Sequence, residues 1–433
     1  MRPSEATDHP AGEPPPGVHH SPARARAADR PPGADPGDPR AIDADVAGAV
    51  GRVLDRLLAE RVATARGLDP GFARDLAERV ARFTLDGGRR SRSRFVWWAL
   101  RACGGPDAAR ADAALHLGAA LELIQTCALV HDDVMDGSRL RRGRPSLHAD
   151  IAAQYGGAAP DPRTARFGES AGILAGDLAL AWADDMVTDT CVDRLDADTS
   201  RRVREIWRAM RTEMVAGQYL DVRGRLAPAP SPAHAMRAAC LKSALYSVER
   251  PLALGAALAR ADAATTRELC AAGRCAGIAF QLRDDLQDVF GDPRRTGKPG
   301  GGDIRAGKPT YLVAVAEARA EGAGDRTAAT VLRRSLGRAD LSERDQAEVR
   351  DVLVGTGARA AVEARIDTLV LRGTRHLDSA SLAPEGRDAL LALLRTVAGA
   401  PPVPRPADGP PPGSGDGAPV PLLLSVVSEG AAQ

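Results

Sequence analysis

Aromatic side chains make up only 3% of the 433 residues. The core must therefore be filled by Ala, Leu and Val, which suit helices that approach each other closely. Net charge is nearly absent too, at +1 for the whole chain. That balance offers no broad cationic surface, so nucleic acid is not the expected partner. No Cys-x-x-Cys pair occurs among Cys103, Cys127, Cys191, Cys240, Cys270 and Cys275. Their spacing excludes the common zinc and redox motifs and reads as reduced thiols of a cytoplasmic protein. No apolar run is expected to reach the length of a membrane span, and no apolar signal segment is visible at the N-terminus. Lysine is the scarcest charge: Lys242, Lys298 and Lys308 are the only three among 58 basic residues. Two of them fall in one glycine-rich stretch, GDPRRTGKPGGGDIRAGKPT, at 291–310.

Residues 1–40 contain ten of the 32 prolines and 401–433 contain nine more. Such segments cannot bury enough apolar surface to offset chain entropy. The expected organisation is a disordered Pro-rich tail over 1–40, one domain over 41–400, and a disordered Pro/Gly-rich tail over 401–433. Helical periodicity predicts helices at 46–66, 74–85, 95–103, 108–135, 172–189, 200–222, 235–259, 265–290, 310–321, 328–336, 343–372 and 384–397. Gly- and Pro-rich breakers separate them, including a loop over 155–168. β-branched alternation is scarce and no fixed-period repeat is present, which excludes a solenoid. The reading is a single large all-α helical bundle.

Residues 130–143 read VHDDVMDGSRLRRG. Asp132, Asp133 and Asp136 end an apolar helix, with Asp132 and Asp136 four apart on one face. Like charges at that spacing repel, and the helix dipole disfavours them at a C-terminus. A hard divalent cation would relieve the cost, and Arg141 and Arg142 follow at once, which suits a metal-bridged diphosphate. Residues 281–288 read QLRDDLQD, and Asp284, Asp285 and Asp288 repeat the spacing at the end of another apolar helix. Basic residues follow again, at Arg294, Arg295, Lys298 and Lys308. A single acidic helix end is ordinarily a solvated surface, but two that match, each locally unfavourable, mark function. A third acid pair, Asp184 and Asp185, has the wrong spacing to its third carboxylate and no arginine pair after it, and is expected to be structural or solvated. His131 and His148 are expected to be structural, and Trp97 and Trp98 are expected in the core.

These motifs resemble the trans-isoprenyl diphosphate synthases (polyprenyl synthetases), over roughly residues 80–312. The resemblance implies an all-helical homodimer with a central active-site cavity between the two acid motifs. It implies that Asp132, Asp133, Asp136, Asp284, Asp285 and Asp288 bind Mg²⁺, three ions per site, on the diphosphate of an allylic substrate. GGRRSRSR at 87–94 resembles the family's Gly-Gly-Lys-Arg-x-Arg-Pro segment. By that match Arg89, Arg90 and Arg92, with Gln125 and Arg142, would hold isopentenyl diphosphate. Arg141, Lys242, Ser243, Gln281, Lys298 and Lys308 would hold the allylic diphosphate, and Gln218, Asp221 and Phe280 also fall on family motifs. Arg89 replaces the usual lysine, Ser93 the usual proline and Gln125 a common histidine. Each is expected to keep a charge or a hydrogen bond for a diphosphate.

The activity implied is head-to-tail condensation of isopentenyl diphosphate with an allylic diphosphate, releasing pyrophosphate, with Lys242 and the aspartates as the catalytic set. The growing chain is expected to run back along the helix that carries the first motif, past the small Cys127 and Ala128. Ile124 and Leu121 lie about 12 and 16 Å behind Asp132, at about 1.5 Å per residue. That depth suits a C20 product, geranylgeranyl diphosphate; a farnesyl or a longer product is the alternative. A class I terpene cyclase is a rival, but it needs no second-substrate site and typically carries a mixed second metal motif. A catalytically dead regulatory subunit is another, and such subunits usually lose part of an acid motif.

Overall fold

The computed structural model describes residues 38–156, 161–226, 231–291 and 300–399, and they are helical nearly throughout. Its first helix, Pro39–Ala44, starts with a proline and is capped by Asp38, whose side chain accepts the Arg40 amide. The expected tails otherwise lie outside the described residues, as do Arg294, Arg295 and Lys298.

Helix Ala108–Met135 runs through the centre with the ends predicted. Asp107 caps it by accepting the Arg110 amide at 2.8 Å. Residues 117–124 are buried on every side, as a central helix requires. By length and composition this helix could cross a membrane, which corrects the expectation that no run is long enough. Because 78% of its most apolar stretch is buried in the protein, packing against other helices accounts for it. The segments packed on it include Ser91–Ala102 and Pro162–Asp193, while Ala263–Phe290 packs on Ala358–Ser379 and on a π-helical segment, Cys240–Glu249.

The loop expected over 155–168 is helix from 162 onward, because Pro162–Asp193 begins ten residues before the predicted 172. Asp161 and Pro162 supply its cap and first turn. Gly168, which fell in the expected loop, and Gly172 and Gly176, which fell in the predicted helix, are all close-approach sites. A Cβ at Gly168 would lie 2.4 Å from the His148 carbonyl oxygen, and one at Gly176 2.1 Å from His131 Nε2. The predicted 343–372 helix is two, Glu343–Gly355 and Ala358–Ser379, broken where Gly357 takes φ +69°. Helix Leu147–Tyr155 was not predicted. The acid pair Asp184 and Asp185 is structural as expected: Asp184 accepts from Trp207 Nε1 at 2.7 Å and pairs with Arg211, and Asp185 pairs with Arg61. Trp97 is buried with Nε1 on Asp43, and His148 is buried against Ser146.

Candidate active site

The first acid motif emerges at the C-terminus of Ala108–Met135, where four cations converge on it. Lys242 Nζ lies 3.0 Å from Asp132 Oδ1 and 2.7 Å from Asp221 Oδ2. Arg141 Nε donates to Asp133 Oδ1 at 2.9 Å and Nη2 reaches Asp132 Oδ2 at 3.5 Å. Lys308 Nζ sits 3.0 Å from Asp136 Oδ2, and Arg225 donates to Asp136 Oδ1. Gln218 Nε2 adds a bond to Asp132 Oδ1 at 3.2 Å. Burial would raise the Asp132 carboxyl, but Lys242, Lys308 and Arg141 together hold it below its usual value. Asp133 goes the other way: burial pushes it up despite Arg141.

Lys242 owes its place to backbone geometry. It lies on the π-helical segment Cys240–Glu249, and a Cβ at Gly217 would fall 2.2 Å from its backbone nitrogen. That glycine lets helix Ala197–Gly224 press against the segment, so Gln218 and Asp221 meet Lys242 and Asp132. Single-turn π distortions are often found at functional sites; here the distorted segment also carries Ser243, Tyr246 and Ser247.

The second motif ends helix Ala263–Phe290. Asp285 is buried, accepts from Gln281 Nε2 at 2.8 Å, and burial with the neighbouring Asp303 pushes its carboxyl well above the usual range. Burial and Asp303 also push Asp288 up, to about 6. Asp288 Oδ2 accepts the Asp303 amide at 2.9 Å, and Asp303 Oδ1 lies 3.3 Å from Lys308 Nζ. The path Asp136–Lys308–Asp303–Asp288 therefore ties the two acid motifs together. Burial would lower Lys308, but Asp303, Asp136 and Asp132 hold it firmly protonated. Asp303 and Arg225 are the site residues that sequence reasoning missed. Asp303 lies five residues before Lys308 in the glycine-rich stretch, and that proximity was the available signal; nothing local marks Arg225.

The Arg-Arg-Gly after the first motif is a tight hairpin, with Leu140 opposite Pro145 and Arg141 opposite Arg144. Its central pair, Arg142 and Gly143, takes φ of +54° and +75°, the sense a two-residue hairpin turn needs. The turn sends the two arginines apart. Arg141 goes to the first motif, while Arg142 donates to the Asp86 carbonyl at 3.0 Å and stacks on Phe83. Near Arg142 lies the segment at 87–92. Arg89 is exposed, Arg90 takes φ +47° and donates to the Leu85 carbonyl, and Arg92 Nη2 donates to Ser247 Oγ at 2.7 Å. The Arg92 guanidinium lies 4.3 Å over the Tyr246 ring, and the Tyr246 hydroxyl donates to Gln125 Oε1. Arg90 Nη1 and Arg92 Nε are buried donors without a partner. Ser93 departs from expectation. Its buried hydroxyl lies 2.8 Å from Glu122 Oε1 and 2.9 Å from the Gly118 carbonyl oxygen, two acceptors for its one proton, so it is spent inside the core and faces no diphosphate.

Behind Asp132, Ala128 is half-buried, and Cys127, Ile124 and Leu121 are buried. Burial pushes the Cys127 thiol up to about 12, so it is a neutral filler, 3.7 Å from His131 Nδ1. His131 Nε2 in turn lies 3.0 Å from the Ile173 carbonyl oxygen, a structural tie between helices. A cleft of about 450 Å³ lies far from the motifs, at the other end of Ala108–Met135, between Glu60, Asp112, His116 and Arg194.

Among the described residues, no three acids, histidines or cysteines converge closely enough to hold an ion alone. The donor set still fits a hard cation shared with phosphate. Asp133 Oδ2 is buried with no partner, and Asp285 and Asp288 are crowded by Asp303 with too little countercharge. Mg²⁺ typically takes one or two carboxylates and completes its shell from substrate phosphates.

Comparison with known proteins agrees with this geometry. Residues 74–351 match the Polyprenyl synthetase family. The chain is 30% identical over 309 residues to a geranylfarnesyl diphosphate synthase of Aeropyrum pernix, covering 71% of this chain and 88% of that one. It is 32% identical over 287 residues to a geranylgeranyl diphosphate synthase of Mycobacterium tuberculosis, covering 65% and 74%. Among solved structures, a geranylgeranyl pyrophosphate synthase from Corynebacterium glutamicum, complexed with isoprenyl diphosphate and magnesium, superposes with a TM-score of 0.76 at 38% identity. The match covers 81% of this chain and 97% of that one. A polyprenyl synthase from Caulobacter crescentus, complexed with calcium and isoprenyl diphosphate, gives a TM-score of 0.64 at 27% identity over 83% and 95%. The chain belongs to the polyprenyl synthetase family and is a prenyltransferase with that family's all-helical fold.

Proposed function

We propose that this prenyltransferase joins isopentenyl diphosphate head-to-tail to an allylic diphosphate, with geranylgeranyl diphosphate as its main product. The observation that carries the reading is the path from Asp136 through Lys308 and Asp303 to Asp288, which brings both acid motifs and their cations to one place. The six aspartates would hold Mg²⁺ on the allylic diphosphate, and the metal would supply neutralising charge for the departing pyrophosphate. Lys242, Lys308 and Arg141, already on the first motif, would donate to its oxygens as charge builds there. Arg142, Arg90 and Arg92, with Arg89 and Gln125, would hold the second diphosphate across the hairpin from the first. The turn that parts Arg141 from Arg142 supports that division, and the partnerless donors on Arg90 and Arg92 await acceptors. The allylic C–O bond breaks, the isopentenyl double bond attacks the resulting cation, and a proton leaves to bound pyrophosphate.

The C20 assignment rests on the helix behind Asp132, where Ala128 is small and half-buried and the larger buried Ile124 and Leu121 would form the floor. Relatives include farnesyl, geranylgeranyl and geranylfarnesyl synthases, so chain length is the finer part of the proposal. A homodimer is supported by exposed apolar residues on helix Pro162–Asp193, with Phe167, Ile173 and Leu174 each close to half exposed or more. The six cysteines are unpaired, which agrees with a reducing cytoplasm. Turnover should require isopentenyl diphosphate, which separates this reading from a terpene cyclase. Asp132→Ala or Asp284→Ala should cut turnover by orders of magnitude with the helical circular dichroism intact. Near-normal turnover in either variant would sink the assignment.

A further inference from the structure

Arg225 belongs to no motif that the sequence offers, yet it reaches the first acid motif. It follows helix Ala197–Gly224 directly, one turn after Asp221. Its Nη2 donates to Asp136 Oδ1 and lies 3.6 Å from Asp221 Oδ2. The other Asp136 oxygen is held by Lys308 at 3.0 Å, and the Asp136 side chain is only 5% exposed. Both oxygens of this carboxylate are thus held by protein cations. The Arg225 Nε–H is also buried without an acceptor. Such a buried donor is unfavourable unless something uses it. Its Nε and Nη2 edge is the fork that grips two oxygens of one phosphate. Partnerless buried arginine donors also occur at Arg211 and Arg283, so the orphan alone does not single out Arg225. The orphan together with the contact to Asp136 does.

We infer that Arg225 is a further pyrophosphate-binding residue, which holds Asp136 until a metal-bound diphosphate arrives and then turns its fork to a phosphate oxygen. The inference rests on the diphosphate site proposed above. Its consequence is a pair of opposed effects. Without diphosphate, Arg225 competes with a divalent ion for Asp136. With diphosphate, Arg225 contributes an additional charged contact. Lone metal should therefore bind poorly, and metal and diphosphate should bind together.

The test uses the full chain and two probes: Mn²⁺ alone, followed by electron paramagnetic resonance, and inorganic pyrophosphate with saturating Mg²⁺, followed by calorimetry. Arg225→Gln should bind Mn²⁺ alone several-fold more tightly and Mg²⁺-pyrophosphate at least tenfold more weakly. Arg225→Lys should recover part of the pyrophosphate affinity. Arg211→Gln, which loses a buried partnerless Nε and the Nη1 pairing with Asp184, should move neither. A merely structural Arg225 would weaken both probes together and lower the melting temperature. That outcome, or unchanged pyrophosphate binding, overturns the inference. Failure of the wild type to bind Mg²⁺-pyrophosphate overturns the diphosphate site itself.

Discussion

Replacing an aspartate of the second acid motif should stabilise this protein when no divalent metal is present. The perturbation is Asp288→Asn. Burial first, then Asp303, pushes the Asp288 carboxyl from the usual 3.8 up to about 6. A folded-state value above the unfolded one means that the folded protein prefers the protonated acid. The wild type therefore loses stability as pH rises from about 4 to about 6, and the full loss is present at pH 7.5. A shift of about two units corresponds to about 3 kcal/mol at about 1.4 kcal/mol per unit. Residual solvent contact reduces that to about 1–2 kcal/mol. Asparagine removes the charge while its carbonyl still accepts the Asp303 amide, now bonded at 2.9 Å. In chelator at pH 7.5, thermal melting should place Asp288→Asn roughly 1–3 °C above the wild type, with the gap closing as pH falls to about 4. Mg²⁺ with pyrophosphate should reverse the ranking, because the wild type then recovers its lost stability through binding. A variant that melts below the wild type in chelator at pH 7.5 would refute the reasoning.

Three further outcomes follow from the geometry. Ala128→Phe should shorten the product by at least one isoprene unit, read by chromatography, because it places a bulky ring at a half-buried position one turn behind Asp132. Lys242→Arg should lower kcat at least tenfold: Lys242 Nζ sits within 3.0 Å of both Asp132 and Asp221, and a planar fork does not fit where a compact ammonium does. Gly176→Ala should destabilise by about 1–3 kcal/mol or more in chemical denaturation, since its Cβ would fall 2.1 Å from His131 Nε2 in the packed helix interface.

Much of the site was legible in the sequence because its parts are local. Each acid motif is a short run at a helix end, and helix Ala108–Met135 formed with its predicted ends because Asp107 and a continuous apolar pattern define it. Glycine misled where its role was tertiary. Gly168 fell in the expected loop but serves close contact with His148 and Ala152 of a neighbouring helix, so the start of Pro162–Asp193 was misplaced. Ser93 misled in the same way: a hydroxyl in a phosphate-binding segment read as a ligand donor, whereas its partner is Glu122 from another helix. Asp303 and Arg225 act through partners 15 and 89 residues distant in sequence, and no periodicity encodes such pairings.

The central claim is the coupling of two diphosphate substrates. It is tested most directly by incubating the purified protein with Mg²⁺, labelled isopentenyl diphosphate, and dimethylallyl, geranyl or farnesyl diphosphate in turn. The account predicts label in a C20 diphosphate with every primer, and no product when isopentenyl diphosphate is omitted. Label confined to C15 would contradict the chain-length assignment, and cyclised hydrocarbon formed without isopentenyl diphosphate would contradict the account as a whole.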